Sequence, residues 1–302
     1  MTTVDGGSTE PRSGNGRRRD DEGRGHIVLI GGACDPLGEA LGTFIRLSRA
    51  AEGAKVVGLT TASSDPAASA RSWKRDLKKA GAVDVEIPIV ADRNTAQNRE
   101  LVRLIRSANG IFLGGGDQIQ LVSTIGGSRL ERAIREAHAR GAVICGTSAG
   151  SAALTGTIMA GGEAERPGGM AEEYIGPGFG LVGFNTTIDT HFAERLRLQR
   201  LFSVIARNPE LMGLGIDEDT ALVVKGHLGD VVGSGSVTFV DGRGVRFDNA
   251  EEVQRGRALT LSYLRVGVIG SGYTFNLRER ELQVILDMRA EEEPLEFAPD
   301  EP

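Results

Sequence analysis

The sequence predicts an α/β fold with a doubly wound, mainly parallel β-sheet. Short apolar runs typical of buried strands alternate with helix-like segments through the first half of the chain. Three of these runs end in glycines, as strand-to-helix turns often do. One run leads into Gly146-Thr-Ser-Ala-Gly150, a pattern that in such folds presents a serine on a sharp turn between a strand and a helix.

Five apolar runs are interpreted as the first strands of the sheet. They cover residues 26–30, 55–60, 83–90, 110–113 and 142–145. Pro88 interrupts the third run and favours a place near the sheet edge, because proline cannot donate a hydrogen bond to a neighbouring strand. Ligands of such sheets bind at the carboxyl ends of the strands. We therefore expect Gly31, the segment 114–118 and Ser148 to meet at one edge.

Helices are predicted between these strands. Leu37, Leu41, Phe44 and Ile45 share one helix face, and further helices are predicted over 67–80, 94–108, 128–140 and 192–206, with another after Gln118. Asn94 or Thr95 is the expected N-cap of the 94–108 helix. The segment 161–180 is rich in glycine, proline and glutamate, which predicts a loop that acts as a substrate-side flap.

From residue 213 onward the sequence predicts short β segments between glycine-rich turns. Residues 213–224 are interpreted as a strand, an acidic turn and a strand, and later segments cover 230–240, 259–269 and 273–277. Residues 26–290 are expected to form a single α/β domain. They lie between a disordered tail, 1–25, and an acidic disordered tail, 291–302.

Composition argues against several classes of protein. The formal net charge is −6, so neither nucleic acid nor a membrane is an expected partner. The two cysteines, Cys34 and Cys145, are too few for a disulfide framework and are expected to be reduced. No apolar segment of a secretory signal opens the chain, and a cytoplasmic location is the resulting expectation.

Ser148 is the candidate nucleophile. A serine in the strained geometry of such a turn needs residues without bulk two positions before and after it, and both are glycine. The backbone amide of Ala149, at the start of the following helix, can face a developing oxyanion. The alternative interpretation of this short pattern is a small-residue turn that only packs a helix on the sheet.

A serine nucleophile needs a base, and the chain offers four histidines. His26 opens the first strand at the opposite edge, His138 is expected on an exposed helix, and His227 lies in a turn. His191 stands at a strand-to-helix junction and is the strongest candidate.

The acidic turn at 217–219 is favoured as the source of the group that orients this base, with Asp189 as the rival. The alternative for the turn is an ordinary hairpin. The order Ser148, His191, Glu218 differs from the serine, acid, histidine order of lipase-type hydrolases.

Four motifs in this order resemble the cyanophycinase family of serine hydrolases, which is related to aspartyl dipeptidase (peptidase E) and has a class I glutamine amidotransferase-like fold. They are Phe112-Leu-Gly-Gly-Gly-Asp-Gln118, Gly146-Thr-Ser-Ala-Gly150, Asp189-Thr-His-Phe-x-x-Arg-x-Arg-x-x-Arg-Leu201 and Gly215-Ile-Asp-Glu-Asp-Thr-Ala221. The resemblance covers about residues 26 to 290 and implies a Ser148, His191 and Glu218 triad. It also implies an oxyanion hole from Ala149 with Gly115 or Gly116, and substrate contacts from Gln118, Asp189, Arg195, Arg197 and Arg200.

The resemblance implies hydrolysis of cyanophycin, a polyaspartate that carries arginine on each β-carboxyl, to β-Asp-Arg dipeptides by a homodimer that needs no metal or cofactor. Arginine forks suit the free carboxylates of this polymer, and Asp189, Gln118, Glu163 or Glu165 suit its guanidinium groups. Because Arg195 and Arg197 are expected on different faces of one helix, we expect at least one of the three arginines to be only solvated. The alternatives are an aspartyl dipeptidase for small peptides and, in a different class, a non-catalytic binding protein on the same fold.

Overall fold

The computed structural model describes residues 23–161, 173–254 and 257–283. Most of the predicted N-terminal tail, the whole segment 291–302, and Glu163 and Glu165 lie outside the described residues. No helix in the described part of the chain is long and apolar enough to cross a membrane.

A nine-stranded sheet forms the centre of the fold. Its parallel strands are β1 (Ile27–Ile30), β2 (Lys55–Leu59), β3 (Asp84–Glu86), β4 (Gly110–Leu113) and β5 (Val143–Thr147). Its antiparallel strands are β10 (Thr220–Lys225), β11 (Leu228–Gly233), β16 (Thr274–Asn276) and β17 (Glu281–Gln283). The strand order β17-β16-β11-β10-β1-β5-β4-β2-β3 confirms the mainly parallel sheet with the proline-flanked strand at its edge.

Helices cover both faces of this sheet. They are α1 (Glu39–Leu47), α2 (Pro66–Lys79), α3 (Arg99–Ser107), α4 (Gln118–Ile125), α5 (Arg129–Ala139), α6 (Ala149–Ala153) and α7 (Leu198–Arg207), with short 3₁₀ turns at Ala50–Glu52 and Thr95–Gln97. One apolar core joins α1 and α2 to one face, and a second core joins α3, α4 and α5 to the other. The doubly wound arrangement therefore follows from the amphipathic faces of these helices.

A second, four-stranded sheet packs into the core beside α6. Its strands, in the order β15-β12-β9-β8, are β8 (Thr186–Thr190), β9 (Met212–Ile216), β12 (Ser236–Asp241) and β15 (Arg265–Gly270). A small pair joins β13 (Phe247–Asp248) to β14 (Leu261–Ser262). Apart from β8, these elements fall in the C-terminal part of the chain, where the sequence predicts short β segments.

The prediction of a loop over 161–180 is wrong in part. Strand β6 (Thr157–Gly161) pairs antiparallel with β7 (Glu173–Pro177), so the described ends of this segment form a ladder. Ile158, Met159 and Ala160, which lead into this segment, are buried, and their pairing with β7 keeps the chain extended as far as Gly161.

Two helices begin later than predicted. The 192–206 helix starts only at Leu198, because Leu196 has a left-handed backbone (φ 52°) and residues 191–197 form tight turns. The 94–108 helix starts at Arg99, and its N-cap is Asn98, whose side chain accepts hydrogen bonds from the Glu100 and Leu101 amides at 2.7 and 3.3 Å.

His138 is buried, with 7% of its surface exposed, and the prediction of an exposed position is wrong. Its helix, α5, turns Leu130, Ile134 and Ala137 into the core, and the histidine extends this stripe. The imidazole Nδ1 lies 3.4 Å from the Ala142 carbonyl oxygen.

The acidic turn at 217–219 is not a hairpin, because β9 belongs to the four-stranded sheet and β10 to the central one. The chain crosses here from one sheet to the other. At this crossing the Asp219 amide donates to the Gly32 carbonyl at 3.0 Å, just beyond the carboxyl end of β1. The turn is thereby fixed at the edge of the sheet where the predicted site residues meet.

Candidate active site

Ser148 occupies a strained turn between β5 and α6. Its backbone has φ 51° and ψ −119°, a region that residues with a side chain rarely adopt. A Cβ at Gly146 would lie 2.5 Å from the Gly150 carbonyl carbon, and one at Gly150 would lie 2.2 Å from the Leu113 carbonyl oxygen. The turn can therefore form only with glycine at both positions, and it leaves the serine hydroxyl at the carboxyl end of β5.

His191 and Glu218 complete a hydrogen-bonded chain with this serine. Ser148 Oγ lies 2.9 Å from His191 Nε2, and His191 Nδ1 lies 2.6 Å from Glu218 Oε1. His191 follows β8, has a φ of 51°, and donates its backbone amide to the Gly31 carbonyl at 2.8 Å. The structure thus brings the three residues together from β5, from the end of β8 and from the turn between the two sheets.

This arrangement can activate a hydroxyl for attack on a carbonyl. An imidazole that accepts the serine proton acts as the general base, and a carboxylate on its other nitrogen fixes the tautomer and stabilises the imidazolium. The donor and acceptor distances lie within the range that proton transfer requires.

The other carboxylates near this base bind different groups. Asp217 is buried and accepts hydrogen bonds from the Ala193 amide at 3.1 Å and the Ser236 amide at 2.9 Å. Asp219 accepts the Asp35 amide at 3.1 Å. Within the acidic turn, only Glu218 hydrogen-bonds the imidazole.

Sequence reasoning missed two reciprocal hydrogen bonds between the loop that follows His191 (residues 192–197) and the acidic turn at 217–219. Asp217 accepts the Ala193 amide, and Glu194 reciprocally accepts the Glu218 amide at 3.3 Å. Each loop therefore places a carboxylate on a backbone amide of the other. The Asp of the Gly-Ile-Asp-Glu motif was one available signal, but nothing in the sequence links Glu194 to a turn 24 residues away.

Gly115 and Ala149 lie beside the serine, where an oxyanion hole is expected. A Cβ built on Gly115 would lie 3.2 Å from Ser148 Cβ and 3.8 Å from its Oγ. The backbone amides of Gly115 and Ala149 donate to no acceptor among the described residues. Both N–H groups are thus available to an oxygen that develops negative charge next to Ser148. Gly116 lines the cleft that opens over Ser148 and His191.

A polar cleft of about 470 Å³ opens over Ser148 and His191. Its lining includes Asp117, Gln118, Ile119, Ala152, Ala160, Gly161, Ile188, Asp189, Thr190, Arg195, Arg197 and Arg200. The Gln118 amide nitrogen donates to the Met159 carbonyl at 2.5 Å, which fixes that side chain at the wall.

All three arginines line this one cleft, so the prediction that Arg195 and Arg197 lie on different faces of one helix, and that at least one of the three arginines is only solvated, is wrong. The reason is the late start of α7: Arg195 and Arg197 precede the helix, and only Arg200 belongs to it.

Asp189 is fully buried beneath the arginines. Its two oxygens accept hydrogen bonds from Arg200 Nη2 at 2.7 Å and Nε at 2.9 Å, and from Arg197 Nη1 at 3.2 Å. Burial raises the pKa of the Asp189 carboxyl, while the two guanidinium groups oppose that rise. The carboxylate therefore acts on the cleft by holding two guanidinium groups in place.

The cysteines are poor nucleophiles in this environment. Burial raises the pKa of Cys34 to about 11, with Thr147 Oγ1 3.9 Å from its sulfur. Burial also raises the pKa of Cys145, which is fully enclosed in β5. Since the thiolate is the reactive form, neither residue competes with Ser148 near neutral pH.

The sequence matches Peptidase family S51 over residues 27–232. It is 33% identical over 266 residues to the cyanophycinase of Synechococcus elongatus, which covers 86% of this chain and 81% of that protein. It is 30% identical over 262 residues to the cyanophycinase of Geminocystis herdmanii, covering 85% and 96% of the two chains. The structure of a peptidase from an acI-B1 actinobacterium matches with a TM-score of 0.61 at 21% identity, over 86% of this chain and 99% of the other, and so shares the fold.

Proposed function

The chain belongs to Peptidase family S51 and is a serine peptidase, and from this premise we propose that it hydrolyses cyanophycin through a Ser148, His191 and Glu218 triad. The observation that carries the proposal is the continuous chain of hydrogen bonds at 2.9 and 2.6 Å from the serine hydroxyl to the glutamate. Among the described residues it is the one such chain that starts from a serine on a strained turn.

In the proposed mechanism Ser148 Oγ attacks the scissile aspartyl carbonyl as its proton passes to His191 Nε2. The imidazolium, stabilised by Glu218, then protonates the departing amine, and an acyl-enzyme remains. Water then attacks the acyl carbonyl as His191 takes a proton from that water. The acyl group leaves as a free carboxylate, and Ser148 recovers its hydrogen from His191. The amides of Ala149 and Gly115 stabilise the oxyanion in both halves.

The chemistry of the cleft supports a substrate rich in carboxylates. Arg195, Arg197 and Arg200 line it, and the guanidinium groups of Arg197 and Arg200 are held on Asp189. Planar guanidinium forks bind carboxylates through two parallel hydrogen bonds, which suits the free carboxylate on each arginyl branch of cyanophycin. Gln118 and Asp117, which also line the cleft, supply oxygens for a guanidinium group of the substrate.

The proposal is tested by incubation with purified cyanophycin and, separately, with aspartyl dipeptides, followed by mass analysis of the products. We expect β-Asp-Arg dipeptides from the polymer. Cleavage of the small peptides alone would instead identify an aspartyl dipeptidase, which the same arginines also suit. A protein that cleaves neither and fails to react with a fluorophosphonate at Ser148 would be a binding protein.

The family resemblance also extends the proposal to a homodimer in the cytoplasm. Sedimentation velocity on the purified full chain tests the first part. A single species with twice the mass of the chain is expected, and a monomer at micromolar concentration contradicts it.

A further inference from the structure

A groove lined with arginines lies between α3 and α5, outside the cleft. Its volume is about 320 Å³, and Arg99, Arg103, Arg106, Arg129 and Arg132 line it together with Val102. All five arginine side chains are exposed. This concentration of positive charge is unexpected in a chain with a formal net charge of −6.

Most of these arginines form no ion pair with a described residue, although Arg132 lies close enough to Glu136 to help lower the pKa of that carboxyl. Arg106 forms an ion pair with Glu136 at 2.7 Å. Arg99, Arg103, Arg129 and Arg132 form no ion pair with any described residue. Arg99 and Arg103 are four residues apart on one helix, and Arg129 and Arg132 are three apart on the other, so each pair repels along its own helix.

Two of the arginines also oppose the helix dipoles. Arg99 is the first residue of α3, and Arg129 is the first residue of α5. The amino end of a helix carries partial positive charge and favours anions, so an arginine there is locally unfavourable. The cluster therefore costs the folded protein stability by itself, and a bound anion would remove that cost.

One end of the groove, at Arg99 and Arg129, lies near the sheet edge that holds the cleft. Helices α3 and α5 lead into the amino ends of β4 and β5, so their own amino ends lie near the carboxyl edge of the sheet. Helix α4 starts at Gln118 in the cleft and ends at Ile125, a length of about 12 Å, and three residues then separate it from Arg129. The path from the cleft to the groove is thus roughly 20 Å, allowing about 3.3 Å for each turn residue.

We propose that this arginine groove is a second binding site for the polymeric substrate, in which the guanidinium groups hold free carboxylates of the chain away from the scissile bond. The inference rests on the proposed function. Each aspartyl residue of an extended backbone spans at most about 3.5 Å, so about six repeat units reach from the cleft to the groove. The groove then increases the local concentration of the chain near Ser148 without touching the reacting atoms.

The test compares a long and a short substrate with the double variant Arg103→Gln, Arg132→Gln. Cyanophycin of more than ten repeat units and a two-unit oligomer are the probes, and only the first is long enough to reach the groove. We expect KM for the polymer to rise about 3- to 10-fold, as for the loss of two exposed ion pairs, with kcat unchanged. For the two-unit oligomer, neither constant should change. A high salt concentration should bring the wild-type KM for the polymer close to that of the variant.

The double variant Arg71→Gln, Lys74→Gln is the matched control, since it also removes two exposed positive charges, from α2 on the other face of the sheet. It should leave both substrates unaffected. The Arg103→Gln, Arg132→Gln variant should melt at the same temperature as the wild type or higher, because repulsion is relieved.

An unchanged KM for the polymer, or an equal rise for the two-unit oligomer, overturns the proposal. If the wild type cleaves neither substrate, the proposed function has failed first. In that case, binding of cyanophycin by the Ser148→Ala protein tests the groove separately. The proposal requires that this protein sediment with cyanophycin, and that adding Arg103→Gln and Arg132→Gln to it abolish the co-sedimentation.

Discussion

The imidazole of His191 packs directly on the backbone of Gly32. A Cβ built on Gly32 would lie 2.2 Å from His191 Cε1 and 2.4 Å from Nε2, and Gly32 itself has a left-handed φ of 116°. The neighbouring Gly31 carbonyl accepts the His191 amide at 2.8 Å. The glycine pair after the first strand therefore positions both the backbone and the ring of His191.

Gly32→Ala should reduce kcat by roughly 10²-fold, because a displacement of about 1 Å in a catalytic group costs that much. The new methyl group pushes the ring away from Ser148. Steady-state hydrolysis with the best available substrate measures the effect. Gly42→Ala is the control: Gly42 lies inside α1 with open space around it, and the change should raise stability by about 0.5–1 kcal/mol with no loss of rate. Equal kcat values for the Gly32 variant and the wild type would refute the packing argument.

Asp189→Asn should impair both stability and substrate binding. It leaves the guanidinium groups of Arg197 and Arg200 without their buried carboxylate, and removing one partner of a buried ion pair costs about 3–5 kcal/mol. Urea denaturation should register this loss, and KM should rise because both guanidinium groups line the cleft.

Asp241→Asn provides the comparison for that prediction. Asp241 is also buried between two arginines, with Arg280 Nη1 at 2.6 Å and Arg243 Nη2 at 2.8 Å, but it lies outside the cleft. It should lower stability and leave KM unchanged. If KM in both Asp189→Asn and Asp241→Asn equals that of the wild type, Asp189 contributes only to folding.

Stability should fall as the pH drops below about 6.5, in part because of His138. Burial lowers the pKa of this histidine in the folded protein, while in the unfolded chain it titrates near 6.5. Between these two values the unfolded state binds more protons, so stability rises with pH and is lost on acidification. Urea denaturation at pH 7.5 and 5.5 should show a smaller difference for His138→Gln than for the wild type. His26, whose pKa burial also lowers, contributes a further part of the slope.

Local patterns were enough to predict the parallel sheet and its edge. The five apolar runs became β1 to β5, with the proline-flanked run at the end of the sheet. Burial on both faces makes such strands continuously apolar, so each is visible without knowledge of its neighbours. Local patterns also pointed to Ser148, His191 and the acidic turn at 217–219, because each lies next to a strand, whereas the choice of Glu218 within that turn came from the family resemblance.

The features that sequence reasoning missed depend on contacts between distant segments. The crossing of the acidic turn between two sheets depends on β9 and β10 pairing with different partners, which no local pattern encodes. The late start of α7 is set by the turns that place His191, and these override a helix-like pattern. The burial of His138 depends on how far the core reaches along α5.

The most direct test of the account is the rate of cyanophycin hydrolysis by Ser148→Ala and wild-type protein under identical conditions. The proposed triad acts as a unit, so the variant should lose activity on the order of 10⁶-fold while its folding is unchanged. Wild-type protein should release β-Asp-Arg dipeptides in the same assay. Near-normal turnover of the polymer by Ser148→Ala would contradict the account, because the hydroxyl at the strained turn would then not be the nucleophile.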